Sequence, residues 1–505
     1  MKTKEGNRSA IIKDAGLYAG AKYASSFLDV GNGILLRNFI NPVGMGVWAL
    51  LRVILNYSSY ITLGTGPALV REIPVYRGRG EEEKADKVKN NVFGFSMLMS
   101  AVLAIGMIAY AIIFRNTMKV EMMWGLIAVA IIFILQRAFN LYVVLLRAYK
   151  IFRMASLSTI LSSVVTLLLT VTLVWKYGFY GLLLATIIGY IVIITIIQKN
   201  VRFKFRFELD PALLKNLSVF GLSLVILQVA ATLLNTVDKI VIAKCLGFEA
   251  LGYYSIAIMA QTYLTITPNV MDMILTPHMF EKITDATDPV KIKTYVLEPA
   301  ITMACLMPCL IMFAWIFGPS LVALLMPKYV PGIPAFKILM FSSFFWGLTR
   351  PLMGFMVLIK KHLQLLPILL FSALVAVSLC LFFIFGLKKN IEYVAVAIVI
   401  SYVLYGFGML MTAARHLPPI RGFKLIIVKI FGPFFYMLLT AVVLQTFFAS
   451  RDISTAYFLE VFAVYLVFIL PLMILVEKET RLLSHVKEIV ISKFMRPKEK
   501  NDSKL

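Results

Sequence analysis

Cysteine and histidine are scarce in this chain, four of each in 505 residues, and they are scattered. Cys245, Cys305, Cys309 and Cys380 fall in or beside apolar runs, so they read as small buried residues and not as a disulfide framework. Cys305 and Cys309 share a helix face, but two thiols without a nearby His or carboxylate make a poor metal site. His278, His362, His416 and His485 lie near the ends of apolar runs or in the C-terminal tail and form no ligand cluster. No metal and no other cofactor is therefore expected. Charge is sparse as well: 15% of residues are Asp, Glu, Lys or Arg against 60% hydrophobic, and the mean hydropathy is +0.87. That composition excludes an ordinary soluble domain. Long polar connections are missing on one face, where Arg115 to Glu121, Lys176 to Phe179, Lys244 to Phe248 and Leu387 to Asn390 are typical. Such loops leave no room to hold acid-base groups and a metal beside an acceptor, so no catalytic residues are assigned and the chain is read as a non-enzyme.

What the chain has in abundance is apolar runs of about 20 residues, the length that crosses ~30 Å of hydrocarbon at 1.5 Å rise per helical residue. Fourteen such spans are expected, near 14–37, 44–66, 91–114, 122–146, 154–175, 179–198, 216–243, 248–276, 295–317, 332–358, 363–386, 391–414, 424–448 and 454–476. The fold class is thus an all-α polytopic membrane protein. No cleavable leader is expected, because Met1 to Lys13 is polar and basic and the run after it is interrupted by Asp14, Lys22 and Asp29. Of the 50 Lys and Arg residues, 34 fall in connections on the side of the termini, 9 on the other side and 7 inside spans. By the positive-inside rule both termini are cytoplasmic. The same asymmetry accounts for the net charge of +24 through anionic lipid headgroups, and no nucleic-acid partner is needed. Two cytoplasmic segments look helical yet too polar to span. They are Glu72 to Asn90 and the tail from Thr480 to Met495, whose Leu482, Val486, Ile489, Val490 and Phe494 share one face suited to an interfacial anchor.

The chain also repeats itself. At an offset of 206 positions Ile34 matches Ile240, Ile40 matches Leu246, Gly46 matches Gly252 and Trp48 matches Tyr254. Internal repeats in a membrane protein commonly mean two similar bundles with a pathway between them.

Charged groups inside spans cost on the order of 2.5–3.5 kcal/mol each and so face a cavity or a partner. Lys22 and Asp29 lie two turns apart on one face of the first span, while Asn56 follows Arg52, and Asn140 follows Arg137, on shared faces. Asp238 and Lys239 lie in the seventh span, Asp272 in the eighth, Lys337 and Arg350 in the tenth and Lys429 in the thirteenth. Lys22, Lys239 and Lys429 are close enough to span ends to snorkel, and Asp238 beside Lys239 is readable as an interfacial pair. Arg52, Arg137 and Arg350 are deeper. Their planar, permanently charged forks suit phosphate, which points to a cationic cavity for an anionic headgroup.

Several stretches resemble a known family. The joint LLNTVDKIVIAKCLGFEALGYYSIA is similar to the seventh-to-eighth span signature of the polysaccharide (O-antigen type) flippases of the multidrug/oligosaccharidyl-lipid/polysaccharide (MOP) exporter superfamily. LLRNFINPVGMGVWAL followed by LGTGPALVRE, the short turns RAYK and GFYG, and FGPSLVALLMPKYVPGIPAFKIL agree with it, so the resemblance covers most of residues 11 to 415. Pro327-Lys328 and GLKKNIEY depart from the family pattern.

The resemblance implies two six-helix lobes around a central cavity, residues 1–210 (spans 1–6) and 211–415 (spans 7–12), with two further spans in 416–478 and a basic tail in 479–505. It implies a flippase that carries a polyprenyl-(di)phosphate-linked oligosaccharide to the outer leaflet of the cell membrane by alternating access, for surface polysaccharide assembly. Its partners would be that substrate, membrane lipids and glycan-assembly enzymes. Candidate cavity residues are Arg52, Arg137, Arg350, Lys22, Asp29, Asn56 and Asn140. A cation-coupled drug exporter of the same fold is the alternative, with Asp29, Asp238 and Asp272 as ion ligands. A membrane enzyme of glycan assembly is a third.

Overall fold

A computed structural model describes residues 2–283, 288–417, 423–448 and 455–480. Every element among them is helical. In chain order these are α1 (Lys2–Phe39), α2 (Pro42–Ser58), α3 (Thr65–Gly78), α4 (Glu82–Ile113), α5 (Val120–Ala148), α6 (Phe152–Leu169), α7 (Trp175–Val201), α8 (Pro211–Cys245) and α9 (Gly247–Leu264). There follow α10 (Ile266–Lys282), α11 (Pro289–Ile292), α12 (Glu298–Leu325), α13 (Ile333–Leu339), α14 (Ser342–Leu358), α15 (Leu366–Leu381), α16 (Ile391–Ala414), α17 (Phe423–Phe448) and α18 (Thr455–Thr480).

Each of the fourteen expected spans falls on a helical stretch, but fewer are long and apolar enough to cross a membrane by themselves. Among the described residues seven qualify, or eight when α13 and α14, bent by 42° at a short break, are taken as one. The reasons lie in the chain. Lys22, Asp29 and Arg37 interrupt the apolar surface of α1. A 3-10 turn over Ser59–Thr62 separates α2 from α3, with Leu63 and Gly64 in the left-handed region at φ 50° and 78°. A break at Thr265 separates α9 from α10. Conversely, the stretch from Phe152 to Val201 counts as a single 50-residue helix although Gly178, at φ 55° and ψ −127°, folds it back on itself. Gly181 lies so close to the Leu173 carbonyl that a Cβ would overlap it, and glycine lets the two arms of this hairpin touch.

Glu72 to Asn90 forms the end of α3 and the start of α4, joined by a turn at Arg79 to Glu81. The tail segment from Thr480 to Met495, and with it the last proposed unit, lies outside the described residues beyond Thr480.

Helix starts follow the local sequence. Asn41 caps α2, its Oδ1 accepting from the Gly44 amide at 2.8 Å ahead of Pro42, and Asp210 caps α8, accepting from the Ala212 and Leu213 amides at 3.1 Å ahead of Pro211. Helices α1 and α3 to α7 pack mainly on one another, as do α8 to α16, α2 lies chiefly against α9 and α8, and α17 and α18 lie against α12. Large apolar side chains such as Phe27, Ile113, Leu168, Trp175, Leu324, Leu374 and Val467 are exposed on the outside, as in a protein whose solvent is hydrocarbon.

The two halves meet chiefly where α2 crosses α9. A Cβ on Gly46 would overlap the Phe248 carbonyl, and one on Gly252 would overlap the Pro42 carbonyl. These glycines are the repeat-related pair, so the duplicated joint packs against its own copy, backbone on backbone. Farther along, Gly64 meets Gly221 of α8 in the same backbone-to-backbone way. The stretch between these two contacts holds the site.

Candidate functional site

Three helices turn polar faces toward each other between the halves. On α2 the face is Trp48, Ala49, Arg52 and Asn56; on α8 it is Thr232, Asn235, Thr236 and Lys239; on α9 it is Ser255, Ile258, Gln261, Thr262 and Thr265. Steps of three and four keep each set on one side of its helix. Together with Arg37 of α1, Asn269 of α10, Trp346 of α14 and Tyr402 of α16 they enclose a cavity of about 290 Å³. A second chamber of about 310 Å³ shares Thr232, Asn235 and Trp346 with the first and adds Tyr60, Gln228, Thr349, Arg350 and Tyr405.

The charge of this double cavity has one sign. Arg37, Arg52, Lys239 and Arg350 line it, and among the described residues neither chamber has an Asp or Glu in its wall. Arg37 is buried and bridges the halves, donating from Nη1 to the Gly33 carbonyl at 2.8 Å and from Nη2 to the Ser255 carbonyl at 2.7 Å, while its Nε has no partner. Lys239 donates to the Asn235 carbonyl and lies 3.3 Å from Asp238 Oδ1, so part of its charge is answered from behind. Arg52 is exposed to the cavity, and among the described residues it has no ion pair or hydrogen bond. Arg350 lies with its guanidinium carbon 4.2 Å from the Trp346 ring centroid. Two hydroxyl pairs join the halves beside these groups, Tyr57 with Thr236 at 2.8 Å and Tyr60 with Thr232 at 2.6 Å.

Of the residues expected from sequence, Arg52, Asn56 and Arg350 stand in the wall of the double cavity. The others do not. Arg137 donates to the Ser59 carbonyl and braces α5 against the break after α2. Asn140 and Lys22 are exposed elsewhere on α5 and α1. Asp29 meets the C-terminal half through its backbone carbonyl, which accepts from the Tyr263 hydroxyl at 2.6 Å, and is not in the wall of either chamber. Asp238 is 2% exposed and turned behind Lys239. Asp272 accepts from Thr276 Oγ1 at 2.7 Å and lines, with Arg350, a pocket of only about 10 Å³, room for roughly one water.

Sequence reasoning passed over Arg37, the last residue of the first expected span, and read Lys239 as close enough to a span end to snorkel; the structure buries both in the wall. A signal for Lys239 was available, because Thr232, Asn235, Thr236 and Lys239 form a polar stripe of helical period inside an apolar run. All four cysteines are free, and among the described residues no group of three or more His, Cys, Asp or Glu could hold a metal.

No curated protein sequence matches the chain. Solved structures do. An inward-facing multidrug resistance MATE family transporter of the MOP superfamily superposes with a TM-score of 0.67 at 16% identity, over 79% of this chain and 97% of that one. An outward-facing MATE family transporter of the same superfamily gives 0.60 at 17% identity, over 81% and 96%. A MOP superfamily transporter from Pyrococcus furiosus, described as having a binding pocket of reverse polarity that suggests a different function, gives 0.61 at 16% identity, over 83% and 96%. At this identity the likeness establishes the fold, that of the MOP superfamily transporters. The family model described as polysaccharide biosynthesis protein matches residues 35–331, more than half of the chain and both helices that cross at Gly46 and Gly252. The chain therefore belongs to the polysaccharide biosynthesis protein family, on a multi-pass transporter fold of the MOP superfamily.

Proposed function

We propose that the protein is a flippase that moves a polyprenyl-(di)phosphate-linked oligosaccharide from the cytoplasmic to the outer leaflet of the cell membrane, both of its termini lying in the cytoplasm. The observation that carries this reading is the sign of the cavity: among the described residues four cations and no carboxylate line the space between the halves of a polysaccharide-family protein. A sugar headgroup cannot cross hydrocarbon unaided, because each buried hydroxyl without a partner costs several kcal/mol. A polar cavity shelters it while the apolar tail stays in lipid. Arg52 and Lys239, facing one another from α2 and α8, supply charge-assisted donors to the phosphate, and Arg37 adds a third positive charge behind them.

Residues 1–210 and 211–415 act as the moving lobes. Alternating access would open one glycine contact while the other stays closed, since a cavity open at both ends leaks and one closed at both ends carries nothing. The drug-exporter reading needs an acid within reach of the cargo, and Asp29, Asp238 and Asp272 are all outside the cavity wall.

Mass spectrometry of lipids retained by the gently purified protein tests the proposal. The parent is expected to hold a polyprenyl-linked oligosaccharide that an Arg52→Gln/Lys239→Gln variant has lost. Bulk phospholipid alone in both samples would overturn it.

A further inference from the structure

The two chambers differ in charge and chemistry, and the difference narrows the cargo. We infer that the second chamber is a glycan subsite for a sugar that carries a carboxylate, with Arg350 laid on Trp346 as the anchor. The inference rests on the flippase reading and extends it.

The first chamber holds three cations, Arg37, Arg52 and Lys239, a match for the two or more negative charges of a diphosphate. The second holds one, Arg350, among amides, hydroxyls and aromatic rings. Gln228 and Asn235 bring both donors and acceptors, and Tyr405 and Thr349 bring hydroxyls, the mixed set that sugar hydroxyls need. The Arg350 guanidinium carbon lies over the Trp346 ring, 4.2 Å from its centroid, a cation–π contact that helps to hold the group in place in the chamber wall. A guanidinium fits a planar, two-oxygen acceptor best. Arg350 Nε is buried and has no hydrogen-bond partner in the protein. Asp272 lines a small separate pocket together with Arg350, and among the described residues no ion pair of 4 Å or less joins the two. The guanidinium is thus positioned, with the Asp272 charge nearby but its own Nε–H without a partner. Because the chambers share Thr232, Asn235 and Trp346, a carboxylate in the second while the diphosphate sits in the first belongs to a sugar near the lipid-linked end of the glycan.

The test uses the full-length protein in lipid nanodiscs and three probes: polyprenyl diphosphate alone, polyprenyl diphosphate linked to a neutral disaccharide, and the same lipid with the terminal glucose oxidised to glucuronate. The parent is expected to bind the glucuronate lipid about tenfold more tightly than the neutral one, the order of one charge-assisted hydrogen bond. Arg350→Gln is expected to erase that difference and to leave polyprenyl diphosphate unchanged, whereas Arg52→Gln weakens all three. Equal binding of the neutral and glucuronate lipids by the parent overturns the subsite whether or not any variant folds. So does an Arg350→Gln variant that weakens all three probes alike. If the parent binds none of the three, the flippase reading itself fails, and the subsite with it.

Discussion

Helices α2 and α9 are the two copies of one duplicated element, and they present the same face to the cavity with different chemistry. The 206-residue offset places Arg52 opposite Ile258, Asn56 opposite Thr262 and Ala49 opposite Ser255, and all six line the first chamber. Backbone geometry has been kept: Gly46 and Gly252 still fit each other so closely that neither tolerates a Cβ. Charge has not. The N-terminal copy carries a cation where the C-terminal copy carries an aliphatic side chain, and the C-terminal half draws its own cations from other helices, Lys239 of α8 and Arg350 of α14. Duplication fixes where a cavity lies, because the crossing of the two helices needs both glycines; what the cavity binds is decided by side chains that are free to diverge on either copy.

The largest expected effect breaks the shared geometry. Gly46→Val or Gly252→Val places atoms inside a facing backbone carbonyl, which cannot turn aside as a side chain can, and should cost about 3 kcal/mol, the upper end for overpacking. Loss of monodisperse protein in detergent would show it. Gly106→Ala in α4 is the control: a Cβ there meets nothing within 4 Å, and alanine should stabilise the helix by about 0.5–1 kcal/mol.

Next comes the charge difference itself. Arg52→Ile makes α2 resemble α9 at this position and should lower affinity for polyprenyl diphosphate at least tenfold, with normal insertion. Adding Ile258→Arg to that variant moves the cation to the other copy and should restore most of the binding, as titration in nanodiscs would reveal. No restoration would mean that the two faces are not equivalent.

A smaller effect is expected where the halves are joined by hydroxyls. Tyr60→Phe removes the 2.6 Å bond to Thr232 and should shift the balance between open and closed states by about 1 kcal/mol, read by cysteine accessibility on either side of the membrane.

The smallest is at the exposed surface, where Lys87 Nζ lies 2.9 Å from Asp210 Oδ2 and fastens the connection between halves to α4. Lys87 holds the Asp210 carboxyl below its ordinary value. The stabilisation is therefore present above the unfolded carboxylate pKa of about 3.9 and is lost as pH falls through the lowered folded value. Lys87→Ala should leave thermal stability near neutrality almost unchanged and weaken that acid-side dependence, the remainder coming from the Ala212 and Leu213 amides that Asp210 caps.

The fold was largely readable in the sequence, because apolar runs, glycine turns and the repeat are dictated by lipid and by close backbone packing. Arg52, Asn56 and Arg350 were readable too, since a cation deep in an apolar run needs a partner or a cavity. Arg37 was not, for a physical reason: a residue near a helix end has two solutions, reaching for the interface or turning inward, and only the packing of the other half decides which is cheaper. Arg37 turns inward because the Ser255 carbonyl is there to receive it. Asn140 and Lys22 are exposed outside the chamber walls, although each shares a helix face with another expected cavity residue. Spacing along one helix shows which residues share a face, but not which neighbour that face meets.

The central claim is that a cationic cavity between two duplicated halves carries a lipid-linked glycan across the membrane. The direct measurement is translocation of a fluorescent polyprenyl-diphosphate-linked oligosaccharide in proteoliposomes, followed by loss of its protection from an external quencher. The parent should move the lipid between leaflets, and Arg52→Ile should not, while Arg52→Ile with Ile258→Arg regains movement. Equal rates in parent, Arg52→Ile and empty liposomes would contradict the account.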